Sequence, residues 1–540
     1  MSYTSLNFAY FVAIVGALYF LFPVKKYQWT VLLAASYVFY LFAGFQYAAF
    51  LIVTTATTYV SALVIDSIAA KAKAELKAQK QNWDKAQKKE FKERIGRKKQ
   101  LIMVCTVVFN LGILAFLKYF NFLAGSLNNL FASAGAVFSI PTMRLFLPLG
   151  ISFYTFQSVG YLVDVYREKT CAERNPAKFA LFVSYFPQII QGPISFYDQL
   201  AHQLYEPHSF SFTRLKYGCE LILWGLLKKV VIADRALITI NAVVDAYTDY
   251  SGTTLTFALL LYALQLYADF SGGIDISRGV SQILGIDMIQ NFRRPYFALT
   301  IDEYWRRWHI SLGAWMKEYV FFPIALSKRF TGVSKKIRST AFGASKFGAH
   351  FAKVLPTSFA SLIVFLLVGI WHGASWKYVA FGLWNGGVIM LSTLLEPVFL
   401  SVNRTLRIRT EAFWFRLFQM GRTFLIVLIG YVFDIAPSFK SAMQMFVNMI
   451  ARQDIFRAMS DISQLELSKK DYLILILGTC VMFVVSLIQE KNPDTSLRRL
   501  LDQKPFILRY ILILIGILVL LVFGIYGPGF DPAEFVYMQF

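Results

Sequence analysis

Apolar runs close to the roughly 20 residues needed to cross a bilayer recur along nearly the whole chain, separated by short polar links. They begin near Leu6, Trp29, Tyr47, Leu101, Leu145, Phe179, Tyr217, Leu255, Pro356, Tyr378, Phe415, Tyr472 and Phe506. By the hydropathy rule this pattern predicts roughly eleven to thirteen helical segments, some of the middle ones re-entrant. The first run lacks a basic leader and is expected to stay as the first span, without cleavage. The expected class is all-α, as one polytopic domain over residues 1–540.

The polar positions are as informative as the apolar ones. Residues 71–100 hold twelve Lys/Arg against four acids, and residues 326–353 hold seven against none. Lys25 and Lys26, and later Arg404, Arg407, Arg409 and Arg416, likewise sit in links between runs. By the positive-inside rule these links face the cytoplasm, which puts both the N-terminus and the acidic tail 527–540 outside. Residues 71–100 read as a charged cytoplasmic connection, better taken as a solvated hairpin between two spans than as a regulatory element. Residues 291–312 carry four arginines and two acids, too many charges to face hydrocarbon cheaply. Residues 291–325 are therefore expected to form re-entrant or interfacial helices.

Composition sharpens this picture. The chain is 57% hydrophobic and 16% charged, far from a soluble average. Its net charge of +22 sits in the inter-span links, which favours a cytoplasmic membrane face over nucleic acid. The cysteines Cys105, Cys171, Cys219 and Cys480 are scattered, without the spacing of a metal or redox motif, and three of them lie in apolar stretches as small hydrophobes.

Among five histidines, His372 stands out because it ends a long apolar run, in Gly369-Ile370-Trp371-His372-Gly373. An ionisable group at membrane depth is costly and usually lines a functional cavity. A neutral imidazole is also the side chain best suited to take a proton from a hydroxyl near pH 7. Gly373 would let another chain or a substrate approach closely, and Trp371 and Trp376 would wall a pocket. The residues alone are equally compatible with a histidine hydrogen-bonded at a helix crossing. His309 fits an oxyanion donor, a substrate-positioning group, a partner orienting His372, or a structural turn residue. No carboxylate or thiol falls at a convincing ligand spacing from the two histidines, so no metal is expected. Asp269 and Asp275 flank a Ser-Gly-Gly turn and read as structural carboxylates needing partners, with Arg278 and Arg293 as candidates.

Three blocks carry a family resemblance: Tyr185 through Ile194, Asn291 through Leu312, and Gly369 through Gly386. A fourth is Asp269-Phe270-Ser271-Gly272-Gly273-Ile274-Asp275. In this order and spacing they resemble the membrane-bound O-acyltransferase family, specifically its bacterial AlgI-like branch, over nearly the whole chain. The Arg-Arg-Trp-His and Trp-His-Gly blocks are the specific ones.

The resemblance implies a ring of tilted transmembrane helices with re-entrant segments around a central channel. It implies His372 as the catalytic residue and His309 as a second histidine on the channel. Gln188, Asn291, Asn385, Trp371 and Trp376 would then line the path of the substrate. Arg306, Arg307, Trp305 and Trp308 would receive the coenzyme, although the arginines suit lipid phosphate equally well. The implied activity is acetyl transfer from cytosolic acetyl-CoA, as a substrate rather than a tightly bound cofactor, to an exported envelope polysaccharide. It also implies an extracytoplasmic partner of the SGNH type and residence in the bacterial inner membrane. Tyr537, in an aromatic tail, is a candidate acyl carrier, since phenol (pKa ~10) leaves far more readily than a sugar hydroxyl; an interfacial anchor is the alternative reading. Two rival functions remain at this point. D-alanyl transfer to teichoic acid belongs to shorter relatives whose tyrosine tail is a separate peptide. A polysaccharide transporter or flippase should show inverted repeats, and none is evident.

Overall fold

The computed structural model describes residues 2–42, 44–135, 138–493 and 495–526. The tail 527–540, including Tyr537, lies outside the described residues. Among the described residues every regular element is helical. They fall into two compact units, Met1–Cys219 with Ser277–Ile289, and Glu220–Ile276 with Gln290–Phe540.

Among the described residues seven helices are long and apolar enough to cross a membrane, or eight if the bent pair Trp376–Leu394 and Glu396–Thr405 counts as one span. This is fewer than hydropathy predicts, and the reason is length and burial. Leu6–Leu21 has 16 residues and Trp29–Leu41 has 13, which at ~1.5 Å per residue fall short of a ~30 Å hydrocarbon core. Ile151–Tyr166 is apolar because nearly all of it packs inside the protein. A hydropathy window cannot tell residues covered by protein from residues covered by lipid.

In the first unit, two long helices, Phe45–Ala78 and Lys85–Ser133, meet through the turn 79–84. Asp84 closes that turn as a capping box with Gln87, satisfying first-turn donors that would otherwise be unpaired. The basic stretch 71–100 is therefore the end of one helix and the start of the next. Between the two helices, Ser61 and Thr106 hydroxyls lie 2.7 Å apart and Thr57 donates to Asn110 at 3.2 Å. Such bonds join helices that gain little from hydrophobic association in lipid.

The second unit holds the helices that position both candidate histidines. We label them α1 (Gly252–Ile283, whose residues to Ile276 belong here), α2 (Ile301–Arg307), α3 (Ile310–Met316), α4 (Lys346–His372), α5 (Trp376–Leu394) and α6 (Phe413–Ile435). Ser345 caps α4 by accepting from the Gly348 N–H at 2.9 Å. The hairpin α4–α5 is tight because glycines face backbone. A Cβ on Gly369 would stand 2.2 Å from the Tyr378 carbonyl oxygen, and one on Gly382 2.5 Å from that of Phe365. Gly382 and Gly386 are four residues apart, the small-residue spacing that lets membrane helices approach closely.

Two sequence expectations change here. The Ser271-Gly272-Gly273 stretch is no turn; it lies within α1. Its glycine is needed because Gly225 packs on it, and a Cβ on Gly272 would lie 2.8 Å from the Gly225 carbonyl. Asp269 and Asp275 find partners in Lys229 and Lys228, at 2.6 and 2.7 Å. These lysines lie on a π-helical stretch, Leu227–Ala233. All four cysteines are exposed at the protein surface, which leaves the reading of three of them as small hydrophobes in apolar stretches unchanged.

Candidate functional site

The site begins with an irregular turn. His309 sits in the left-handed region (φ 45°) between α2 and α3, a conformation costly for a side chain with a Cβ. Asn291 secures it by three contacts. Its carbonyl accepts from Ile310 N–H at 3.0 Å, and its Oδ1 accepts from Ser311 N–H at 2.9 Å and from His309 Nδ1–H at 3.3 Å. Because the Ser311 donor fixes which end of the amide is oxygen, Nδ1 of a neutral His309 carries the proton. Nε2 then presents a lone pair, a potential acceptor in this tautomer. His309 is 2% exposed and lies outside the seven spans. Burial, with the neighbouring His372 as a lesser cause, pushes its imidazole down to about 3, so it stays uncharged in the physiological range.

His372 is the last residue of α4, buried against Trp371, Tyr378 and Phe381. The Trp371 ring lies 5.4 Å from that of His372 and 6.0 Å from that of His309. One indole therefore touches both imidazoles, which the sequence separates by 62 positions (372 − 309 = 63, less one). Gly373 serves a close approach, but to this chain itself. Any Cβ there would stand 2.2 Å from the Tyr378 ring.

His372 lines a small cavity with Leu266, Trp305, Trp308, Phe381, Tyr431 and Asp434. It has room for roughly one water molecule. Trp305 donates from Nε1 to Asn385 Oδ1 at 3.2 Å, and Asn385 donates to the Phe381 carbonyl at 2.9 Å. Trp308 packs against Phe292, Tyr296, Tyr304 and Tyr431. Both tryptophans thus belong to the cavity wall. Behind them the Tyr431 hydroxyl lies 2.6 Å from that of Tyr304 and 3.3 Å from that of Tyr296.

The remaining candidates separate. Arg306 is exposed and pairs with Asp302 across one helical turn at 2.8 Å, a contact of small energetic weight at a surface. Its guanidinium can exchange that partner for a phosphate. Arg307 is committed elsewhere: it bonds Glu303 at 2.7 Å and Glu490 at 3.1 Å, and Glu490 also holds Arg294. It pins the 291–308 segment instead of meeting a coenzyme. Trp376 is 59% exposed and is not part of the cavity wall. Gln188 belongs to the first unit, where its Nε2 donates to the Pro193 carbonyl at 2.6 Å and closes a turn. Sequence reading passed over Asp434, although the signal was there: a lone acid ending the apolar run of α6.

The profile of the MBOAT, membrane-bound O-acyltransferase family matches residues 172–342. The chain is 30% identical over 444 residues to the probable alginate O-acetylase AlgI of Pseudomonas putida, covering 82% of this chain and 79% of that one. The chain belongs to the membrane-bound O-acyltransferase family. It is 29% identical to the peptidoglycan O-acetyltransferase of Helicobacter pylori, over 65% of each chain. It is also 27% identical to the teichoic acid D-alanyltransferase of Bacillus subtilis, over 55% of this chain and 71% of that one. As a member of the family it is a multi-pass membrane acyltransferase, which removes the transporter reading.

Proposed function

We propose that this O-acyltransferase takes acetyl from cytosolic acetyl-CoA and passes it across the bacterial inner membrane toward hydroxyls of an exported envelope polysaccharide. The observation that carries the reading is His372, buried at the end of α4 on an aromatic-walled cavity and sharing Trp371 with His309. As the acceptor oxygen bonds the acyl carbon, His372 takes the hydroxyl proton. The C–S bond breaks, and the proton leaves with the coenzyme A thiolate, so no net charge is left behind. His309, uncharged and sharing the Trp371 ring with His372, helps to hold the acceptor in place without competing for its proton. The closed cavity is too small for a thioester, so its rings move apart to admit one.

Arg306 and the acid-free basic stretch 326–353 place positive charge where a polyanionic coenzyme arrives. On the outer side, an SGNH-type partner receives the acetyl group, with Tyr537 as its carrier. Both chain ends then lie outside. Acetyl is favoured over D-alanyl because the similarity to the probable alginate O-acetylase extends over more of this chain than that to the teichoic acid enzyme. Proteoliposomes offered acetyl-CoA or a D-alanyl carrier protein test this directly. Free coenzyme A and an acetyl adduct on the C-terminal peptide by intact mass are expected with the first donor only. The adduct is expected to vanish in Tyr537→Phe. Turnover of the D-alanyl carrier with acetyl-CoA untouched would reverse the assignment.

A further inference from the structure

The cavity beside His372 contains one other side chain that carries a full charge when ionised, Asp434. It is 6% exposed, at the end of α6. Its Oδ2 accepts from the Tyr262 hydroxyl at 2.8 Å, while its Oδ1 is buried with no hydrogen-bond partner. Lys377 donates to the main-chain carbonyls of Asp434 and Ala436, both at 2.8 Å, so its charge balances the carboxylate from nearby but makes no direct bond to it. A carboxylate removed from water with half its acceptors unused is costly unless something compensates it. A bond to Tyr262 alone would be met by an uncharged amide.

We propose that Asp434 is a positioning residue for His372, holding a negative charge across the shared cavity against the imidazolium that forms when the acceptor hydroxyl gives up its proton. No proton passes to Asp434. The proton stays on His372 until the thiolate takes it, and the carboxylate lowers the cost of that interval by solvating it in advance. The cavity, with room for about one water, lets the two groups interact directly or through that molecule. Its other walls, Leu266, Trp305, Trp308, Phe381 and Tyr431, offer no competing full charge.

This inference rests on the acetyl-CoA reading, and the test keeps the two apart. Wild type, His372→Ala, Asp434→Asn, Asp434→Glu and Tyr262→Phe are assayed for coenzyme A release from acetyl-CoA across pH. Inactive wild type would defeat the acetyl-CoA reading itself; active wild type with inactive His372→Ala upholds it and lets the Asp434 variants decide the rest. Asp434→Asn keeps an acceptor for Tyr262 and loses only the charge, so a purely structural role would survive it. The expected result is a fall in kcat on the order of 10²-fold, with KM for acetyl-CoA little changed. The carboxylate favours imidazolium, so its loss is expected to move the acid limb of the kcat profile down by about 1 pH unit. The groups facing the pair from neighbouring elements are Tyr262, Lys377, Tyr378, Tyr431 and His309; the last stays uncharged in this range. Asp434→Glu is expected to fall between wild type and Asp434→Asn, and Tyr262→Phe to leave the limb in place. Wild-type kcat, or an unmoved acid limb, in Asp434→Asn overturns the proposal. If that variant does not accumulate in membranes, Asp434→Glu decides: a reduced kcat with a displaced limb upholds it, and wild-type values overturn it.

Discussion

Replacing His372 with alanine is expected to abolish polymer acetylation while the protein remains inserted at near wild-type abundance. The base is the group that lets a hydroxyl attack without first becoming an alkoxide, and losing one costs about 10²–10⁴-fold. Uncharged His309 does not substitute, because the Asn291 contacts hold its ring in place on a separate turn. The space vacated by the ring adds to an existing small cavity, and the helix ends at this residue in any case, so the fold has little reason to fail. The check is ester-linked acetate on the polymer together with the protein in the membrane fraction. Acetylation persisting in the variant would refute the assignment.

Gly382→Val is expected to reduce activity at least ~10²-fold and to lower thermal stability. The new Cβ would meet the Phe365 carbonyl oxygen at 2.5 Å and Leu366 Cα at 3.0 Å. Both are backbone, so α4 and α5 must separate. Overpacking of this kind costs typically ~1–3 kcal/mol, but its larger effect is on geometry. His372 ends α4, whereas Phe381 and Asn385, which face and brace the cavity, ride on α5. A displacement of about 1 Å between the helices is enough to lose the productive arrangement. Gly387→Ala is the matched control: nothing lies within 4 Å of a Cβ there, and alanine is the better helix former by ~1 kcal/mol. The expected outcome is a lower thermal midpoint and little activity for Gly382→Val, against an unchanged or raised midpoint and full activity for Gly387→Ala. Equal behaviour of the two variants would show that close packing of this hairpin does not set the site.

The parts of this enzyme legible in its sequence are those in which chemistry conflicts with its surroundings. A histidine ending an apolar run and arginines crowded among aromatic residues both demand explanation, which singles out His372 and the segment holding His309; Asn291 follows only from the family resemblance. Burial by protein was not legible, because Ile151–Tyr166 reads as a span from hydropathy alone; nor was helix length, since the short N-terminal helices read as spans too. Nor was close backbone approach: Gly272 and Gly273 looked like a turn, whereas Gly225 packing against α1 makes glycine necessary inside a helix. Lys228 and Lys229 were hidden for a related reason. Their carboxylate partners lie some forty residues away, at 269 and 275, and only the fold of the π-helical stretch against α1 joins them. By residue type Arg307 suits a coenzyme phosphate, but the fold pairs it with Glu490, far away in sequence.

The most direct test is a density map of the enzyme with an acetyl-CoA analogue in which a methylene replaces the thioester sulfur. The acyl carbon should lie in the widened cavity, in contact with the His372 ring and between the Trp305 and Phe381 walls. An acyl group bound elsewhere, with residue 372 turned toward lipid, would contradict the account.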